Sequence, residues 1–282
     1  MSDIVYEKKT FSMPFLSGYK ELKIPIFDKD GNSAWPELFT SEKIQQMRET
    51  VGERHFSAQM MLKYVATDKI RLNPGGLKIY ENEFDKRNAK IADNIITGLS
   101  IYWDPSSGRK TSDNSVCVLI YKDEKNKKFF IHDVLYLVVP DNIDYPLAYQ
   151  CNLVLNFVRK YDANVLGVET NGLGNALPEI MRNVISNTGY KIKIRPINNT
   201  RKKEDRILDA VEPLLSSGRL YAHTRISQTP LISEMLAWSP IGGPEHDDGL
   251  DALAGAIMSD AVPVHPLSGQ NYRYMANTNF NI

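Results

Sequence analysis

The sequence predicts an α/β protein: a mixed sheet, in which an antiparallel meander is followed by parallel strands, flanked by helices and preceded by an N-terminal helical arm. Three observations carry this prediction. Residues 95–104, 115–121 and 128–139 are successive runs rich in Val, Ile, Leu, Phe and Tyr, the composition of strands joined by short polar turns. Beyond residue 145, segments with helical spacing alternate with short apolar runs, an order that lays strands side by side under covering helices. Two of the apolar runs end in a carboxylate, Asp104 and Glu169.

Residues 1–97 read as an arm or linker with short helices. Pro14, Pro25, Pro36 and Pro74, the last followed by Gly75 and Gly76, cut it into pieces. In its middle, Thr40 and Ser41 offer caps for a helix with Ile44, Met47 and Val51 on one face, closed by Gly52. Phe56, Met60 and Tyr64 sit at the spacing of a second helix. Residues 98–262 make up the main domain. Its first strand ends at Asp104 and turns through Pro105, Ser106, Ser107 and Gly108, and the charged turn at 122–127 joins the next two. A helix is expected over 146–161, where Leu147, Leu153, Val154, Phe157 and Val158 recur at helical spacing, then a strand over 164–169. Helices over 175–186, 202–215 and 229–238 alternate with strands over 191–196 and 219–222. Residues 263–282, with Pro263, Pro266 and Gly269 followed by several Asn, are expected to be a flexible tail.

Composition narrows the function classes. The chain has 282 residues, 42% hydrophobic and 24% charged, as in a globular protein. Its 34 basic and 34 acidic side chains cancel, so any surface for nucleic acid is local. Two cysteines, Cys117 and Cys151, are too few for a disulfide framework or a zinc site. No run of eighteen apolar residues and no signal-peptide pattern occur. The expected location is the cytoplasm, without a membrane.

One stretch concentrates chemistry. After the loop 239–244, Glu245, Asp247 and Asp248 arrive within five residues, followed by Asp251 and then small apolar residues through Ala256. On a helix, Asp248 and Asp251 lie about 60° apart and Asp247 about 40° from Asp251, so one face carries several acids. Acids at a helix start also offset the unpaired amides and the dipole. That accounts for Asp247 or Asp248 better than for Asp251, which stands one turn inside where Asp is a poor helix former. Asp104 and Glu169 share a crevice beyond the strand ends if their strands are neighbours. Carboxylates gathered in this way repel one another unless a divalent cation joins them. All-oxygen ligands favour Mg²⁺ or Mn²⁺, and two such ions are the arrangement that hydrolyses phosphodiesters. A metal-dependent nuclease is the expectation.

The same residues carry a family resemblance. Trp103-Asp104-Pro105 with Asp113, Val168-Glu169-Thr170-Asn171-Gly172, and His246-Asp247-Asp248-Gly249-Leu250-Asp251-Ala252 resemble the nuclease domain of phage terminase large subunits, in the ribonuclease H-like superfamily. Trp35-Pro36-Glu37, Phe39, Gly52, Phe56 and Gln59 are similar to the linker that precedes that domain. The resemblance implies a ribonuclease H-like mixed sheet and a Mg/Mn-dependent endodeoxyribonuclease that cuts double-stranded DNA during bacteriophage genome packaging, in the bacterial host cytoplasm, through two Mg²⁺ (or Mn²⁺) ions. Asp104 would bridge the ions and Glu169 would hold one of them and orient water. Asp247 and Asp248 both occupy the acidic pair of the last motif. Asp248 is the favoured third ligand, with Asp251 as a further ligand or proton acceptor and His246 as an outer partner. The chain has no Gly-x-x-x-x-Gly-Lys-Ser/Thr phosphate loop, so no ATPase activity is expected of it. The implied partners are then a separate terminase ATPase part, a small terminase subunit and a portal. Alternatives are a Holliday-junction-resolvase-like nuclease and a non-catalytic DNA-packaging or assembly component from a prophage remnant.

Contact with DNA should come from local charge. Lys191, Lys193, Arg195, Arg201, Lys202, Lys203 and Arg206 crowd into sixteen residues, with only Glu204 and Asp205 opposing. Arg201, Lys202 and Lys203 are candidate phosphate contacts, and Arg109 and Lys110 a second pair. Lys191, Lys193 and Arg195 alternate along one side of a strand, as a solvated edge strand would also show. Few aromatics interleave these charges, so base readout is not indicated. Asp113 is expected to serve its turn.

Overall fold

A computed structural model of the chain describes residues 4–6, 9–11, 23–28, 31–63, 72–106, 114–171, 176–186, 188–240 and 247–267. Strands β1 (Ile4–Tyr6) and β2 (Lys9–Phe11) pair antiparallel. Helix α1 (Ser41–His55) starts where Thr40 accepts the Lys43 amide through its hydroxyl at 3.3 Å. It runs through Gly52, the expected stop, into a π-helical turn at Phe56–Met60. The reason is burial: Phe56 is fully enclosed with Ile26 and Ile44 in a satellite core, and that contact carries the chain past the glycine.

The remaining strands are β3 (Lys78–Tyr80), β4 (Lys90–Ile91), β5 (Asn94–Ile95), β6 (Gly98–Asp104), β7 (Ser115–Asp123), β8 (Lys128–Leu137), β9 (Val165–Glu169), β10 (Lys193–Ile197), β11 (Leu220–His223) and β12 (Val262–Pro263). The remaining helices are α2 (Pro146–Lys160), α3 (Leu177–Ser186), α4 (Lys203–Ser216), α5 (Leu231–Ala237) and α6 (Asp248–Met258). The main sheet runs β10-β9-β6-β7-β8-β11-β3, with β12 beside the start of β6, while β4 and β5 form a separate pair. β6, β7 and β8 are the antiparallel meander, and β9 and β10 add in parallel on the β6 side. This is the mixed sheet, an antiparallel meander followed by parallel strands, that the sequence predicts.

Alternation along the strands divides the core. Tyr102, Val116, Val118 and Ile120 point to a cluster under α4, α5 and α6. Ile101, Trp103, Cys117 and Leu119 point to a second cluster under α2 and α3. β7 lies at the centre and is buried along its whole length. Between β7 and β8 the register shifts at Leu119 and Ile120, so His132 is an extra, bulged residue on β8.

Two segments outside the expected main domain touch the sheet. β3, within the span read as an arm, pairs in parallel with β11. Pro263 lies in β12, and Val264 continues along β6 by donating its amide to the Thr97 carbonyl at 2.9 Å. The tail beyond residue 267 lies outside the described residues. Among the described residues no helix is long and apolar enough to cross a membrane.

Candidate metal centre

β6 and β9 are parallel neighbours, with Tyr102 opposite Gly167 and Trp103 opposite Val168. Their last residues, Asp104 and Glu169, therefore emerge side by side at the same sheet edge. Helix α6 brings Asp251 from above, and carboxylate oxygens of Asp104, Glu169 and Asp251 all lie within 4.8 Å of one another.

The position of α6 follows from its sequence. Leu250, Ala252, Leu253, Ala254 and Ala256 are fully buried against the sheet. Small residues allow close approach: a Cβ on Gly255 would stand 2.4 Å from Cε1 and Cζ of Tyr102. Both helix ends are anchored. At the N-terminus Glu234 of α5 accepts the Leu250 amide at 3.1 Å and the Tyr136 hydroxyl at 2.9 Å. At the C-terminus the Lys122 ammonium donates to the Ile257 and Ser259 carbonyls at 2.9 and 2.6 Å, supplying a cation where the dipole favours one.

Each carboxylate is held by donors. Glu169, 6% exposed, accepts the Tyr102 hydroxyl at 2.5 Å. The Tyr102 oxygen in turn accepts the Asn199 side-chain amide at 2.8 Å. Arg206, also 6% exposed, donates through Nη2 to both Asp251 oxygens at 2.5 and 2.6 Å and reaches Glu169 through Nη1 at 3.5 Å. The Lys203 ammonium lies 2.6 Å from Asp247, 3.4 Å from Asp248 and 3.9 Å from Asp251. Burial opposes its charge, but these acids outweigh that and hold it above the ordinary lysine range.

Electrostatics leave the cluster short of positive charge. Among the described residues, Asp104, Glu169, Asp247, Asp248 and Asp251 face two cations, Lys203 and Arg206. Burial, followed by Glu169 and Asp251, pushes the Asp104 carboxyl well above the usual range. Burial lifts Asp251 to about 6 against the pull of Arg206 and Lys203. Hard oxygen donors, buried and mutually repelling, fit a Mg²⁺- or Mn²⁺-type ion.

The expected residues separate here. Asp104, Glu169 and Asp251 come together, whereas Asp248 lies to one side, accepting the Asn114 backbone amide at 2.8 Å and its side-chain amide at 3.3 Å. Asp248 opens the helix beside the start of β7, while Asp251, one turn on, stands over the ends of β6 and β9. Asp247 occupies the α6 cap position without a capping bond from its side chain, which takes Lys203 and the Trp238 indole N–H at 3.3 Å. Lys203, a candidate phosphate contact, and Arg206, in the same basic cluster, turn inward to the acids. Arg201 pairs with Asp209, and Lys202 caps α4 at the surface. Arg109, Lys110, Asp113 and His246 lie outside the described residues. Sequence reasoning missed Tyr102, Asn114 and Asn199. For Tyr102 a signal exists, since it shares a strand face with Asp104, two residues on.

Residues 104–220 match the family model for "Terminase Bacteriophage T7, Ribonuclease H-like domain". That span runs from the end of β6 to β11 and contains Asp104 and Glu169, so the likeness to terminase nuclease domains noted from the motifs holds there. No curated protein matches the chain. Similar solved structures include the nuclease domain of the P22 large terminase, 13% identical over 68% of this chain and 94% of that one with a TM-score of 0.48. The human cytomegalovirus terminase nuclease domain is 12% identical over 60% and 85%, with a TM-score of 0.42. T. thermophilus RuvC in complex with a Holliday junction substrate is 12% identical over 58% and 99%, with a TM-score of 0.35.

Proposed function

We propose that this chain, whose residues 104–220 match a terminase ribonuclease H-like model, is a divalent-metal-dependent endonuclease that cuts double-stranded DNA during phage genome packaging. The observation that supports this most is the convergence of Asp104, Glu169 and Asp251 at the ends of two parallel strands. Asp104 and Glu169 hold their place through the β6–β9 pairing, so the rigid sheet fixes their separation. Asp251 is the third ligand, and Arg206 fixes its rotamer through the two-pronged contact. These three residues would hold two divalent ions, which would supply Lewis acidity for the attack of water on a phosphodiester. Glu169, fixed by the Tyr102 hydroxyl, orients that water, and Lys203 balances charge as acids lose their protons. On this reading the nuclease works with a terminase ATPase part, a small terminase subunit and a portal, in the host cytoplasm.

Incubating the chain with supercoiled plasmid tests the assignment. Nicking is expected with Mn²⁺ or Mg²⁺ and none with chelator, and Asp104→Asn or Glu169→Gln is expected to lose at least ~10²-fold in rate, the order of a lost charge-stabilising contact. Unchanged cleavage in either variant sinks the assignment. A wild-type chain that binds DNA yet cuts it with neither ion would favour a non-catalytic packaging or assembly role.

A further inference from the structure

A groove of about 580 Å³ lies along β10, on the sheet face that carries the carboxylates. Strand register places it. β10 pairs β9 in parallel with Ile197 opposite Glu169, Arg195 opposite Gly167 and Lys193 opposite Val165, and residues paired in this way share a face. Arg195 and Lys193 therefore stand one and two pleats behind Glu169, about 7 and 13 Å along the strand. The opposite wall is the end of α6 and the residues after it, Met258, Ser259 and Asp260. The Ile197 side chain lies over the floor at Gly167, where a Cβ would come within 2.8 Å of its Cδ1. Helix α3 packs on the other face, where Leu166, Val168 and Ile194 meet Leu177 and Met181.

Donors dominate this lining. Lys193 is exposed, and among the described residues it has no acid partner. Arg195 donates Nη1 to the Asp260 carbonyl at 3.3 Å and forms no ion pair among the described residues. At the inner end Arg206 borders the groove, and its buried Nε has no acceptor although its other nitrogens hold Asp251 and Glu169. A buried donor without a partner is costly in a finished site. Among the described residues, Asp260 is the one acid on the lining.

We infer that this groove holds the sugar–phosphate backbone of a single nucleic-acid strand running from the metal centre, with Arg195 and Lys193 on successive phosphates. This rests on the nuclease reading for what lies at the inner end. A single strand fits because the cations stand in one file along one β-strand, the way a single backbone presents its charges, and not in two rows. Among the described residues, Tyr102, 1% exposed, is the lone aromatic on the lining, so these residues offer bases no stacking platform and the contact is independent of sequence.

Fluorescence anisotropy of a labelled single-stranded oligonucleotide, titrated with the full chain in EDTA over a range of salt, tests this without cleavage. Lys193→Gln/Arg195→Gln is expected to bind at least 10-fold more weakly and to flatten the slope of log K against log salt by about 1.4, two phosphates at ~0.7 each. Lys193→Gln alone, at an exposed side chain that leaves the fold intact, is expected to give half that change. A control pair remote from the groove, Lys86→Gln/Lys160→Gln, is expected to alter neither quantity. Wild-type affinity and slope in the first double variant, or equal losses in both, would overturn the inference. Plasmid cleavage by the wild type with undiminished oligonucleotide binding by the groove variant rejects the groove alone. Lost binding in a chain that never cuts keeps the groove and rejects the nuclease.

Discussion

Asp251→Asn is expected to slow DNA cleavage by about 10³-fold, or ~4 kcal/mol of transition-state stabilisation, and to do more harm than Asp248→Asn. The difference follows from placement. Asp251 stands within 4.8 Å of Asp104 and Glu169, whereas Asp248 is committed to Asn114 and Lys203. An Asn at 248 still presents an oxygen to the Asn114 amide, so that change is expected to cost about 10-fold or less, the lower end for an outer partner. Asp251→Asn also leaves the buried Arg206 guanidinium with less compensation, a stability loss of the order of 3 kcal/mol. Single-turnover rates are therefore compared at a temperature where circular dichroism shows both variants folded. A larger loss in Asp248→Asn would mean that α6 sits about one turn differently in the working enzyme.

The second large effect falls on stability. Gly255→Ala improves helix propensity by ~1 kcal/mol, yet the new methyl would lie 2.4 Å from the Tyr102 ring. That ring is 1% exposed, and its hydroxyl links Glu169 to Asn199. It cannot swing aside without releasing both, so the overlap wins. A net loss of about 2–4 kcal/mol is expected, lowering Tm by roughly 5–15 °C at this size. A thermal melt within a degree or so of wild type would contradict the described packing of α6 on β6.

Much of the fold is legible in the sequence because its elements are strongly periodic. The strand ending at Asp104, the helix at Pro146–Lys160 and the strand ending at Glu169 all lie within a few residues of where apolar spacing puts them. β3 is not legible, since Lys78 and Ile79 are exposed and three residues carry no alternation to read. The stop at Gly52 fails for a related reason: a local cap signal gives way to the tertiary burial of Phe56. In the candidate site, the acids at the strand ends are readable because a carboxylate closing an apolar run stands out. The choice between Asp248 and Asp251 depends on where α6 sits over the sheet, which Gly249, Gly255, Glu234 and Lys122 settle through contacts distant in sequence. The inward turn of Lys203 and Arg206 depends on contacts of the same kind. A count of basic residues does not show that α4 turns these two toward five acids.

The central claim is that Asp104, Glu169 and Asp251 together hold a divalent ion, and calorimetric titration of Mn²⁺ into the chain tests it most directly. Because Asp251 keeps its proton up to about 6 through burial, and Asp104 well above the usual range for the same reason, protons compete with the ion as pH falls. Binding is expected at pH 7.5, weakening toward pH 5, and falling at least ~10-fold in Asp104→Asn and Asp251→Asn. Wild-type affinity in both variants, or binding indifferent to pH over that range, would contradict the claim.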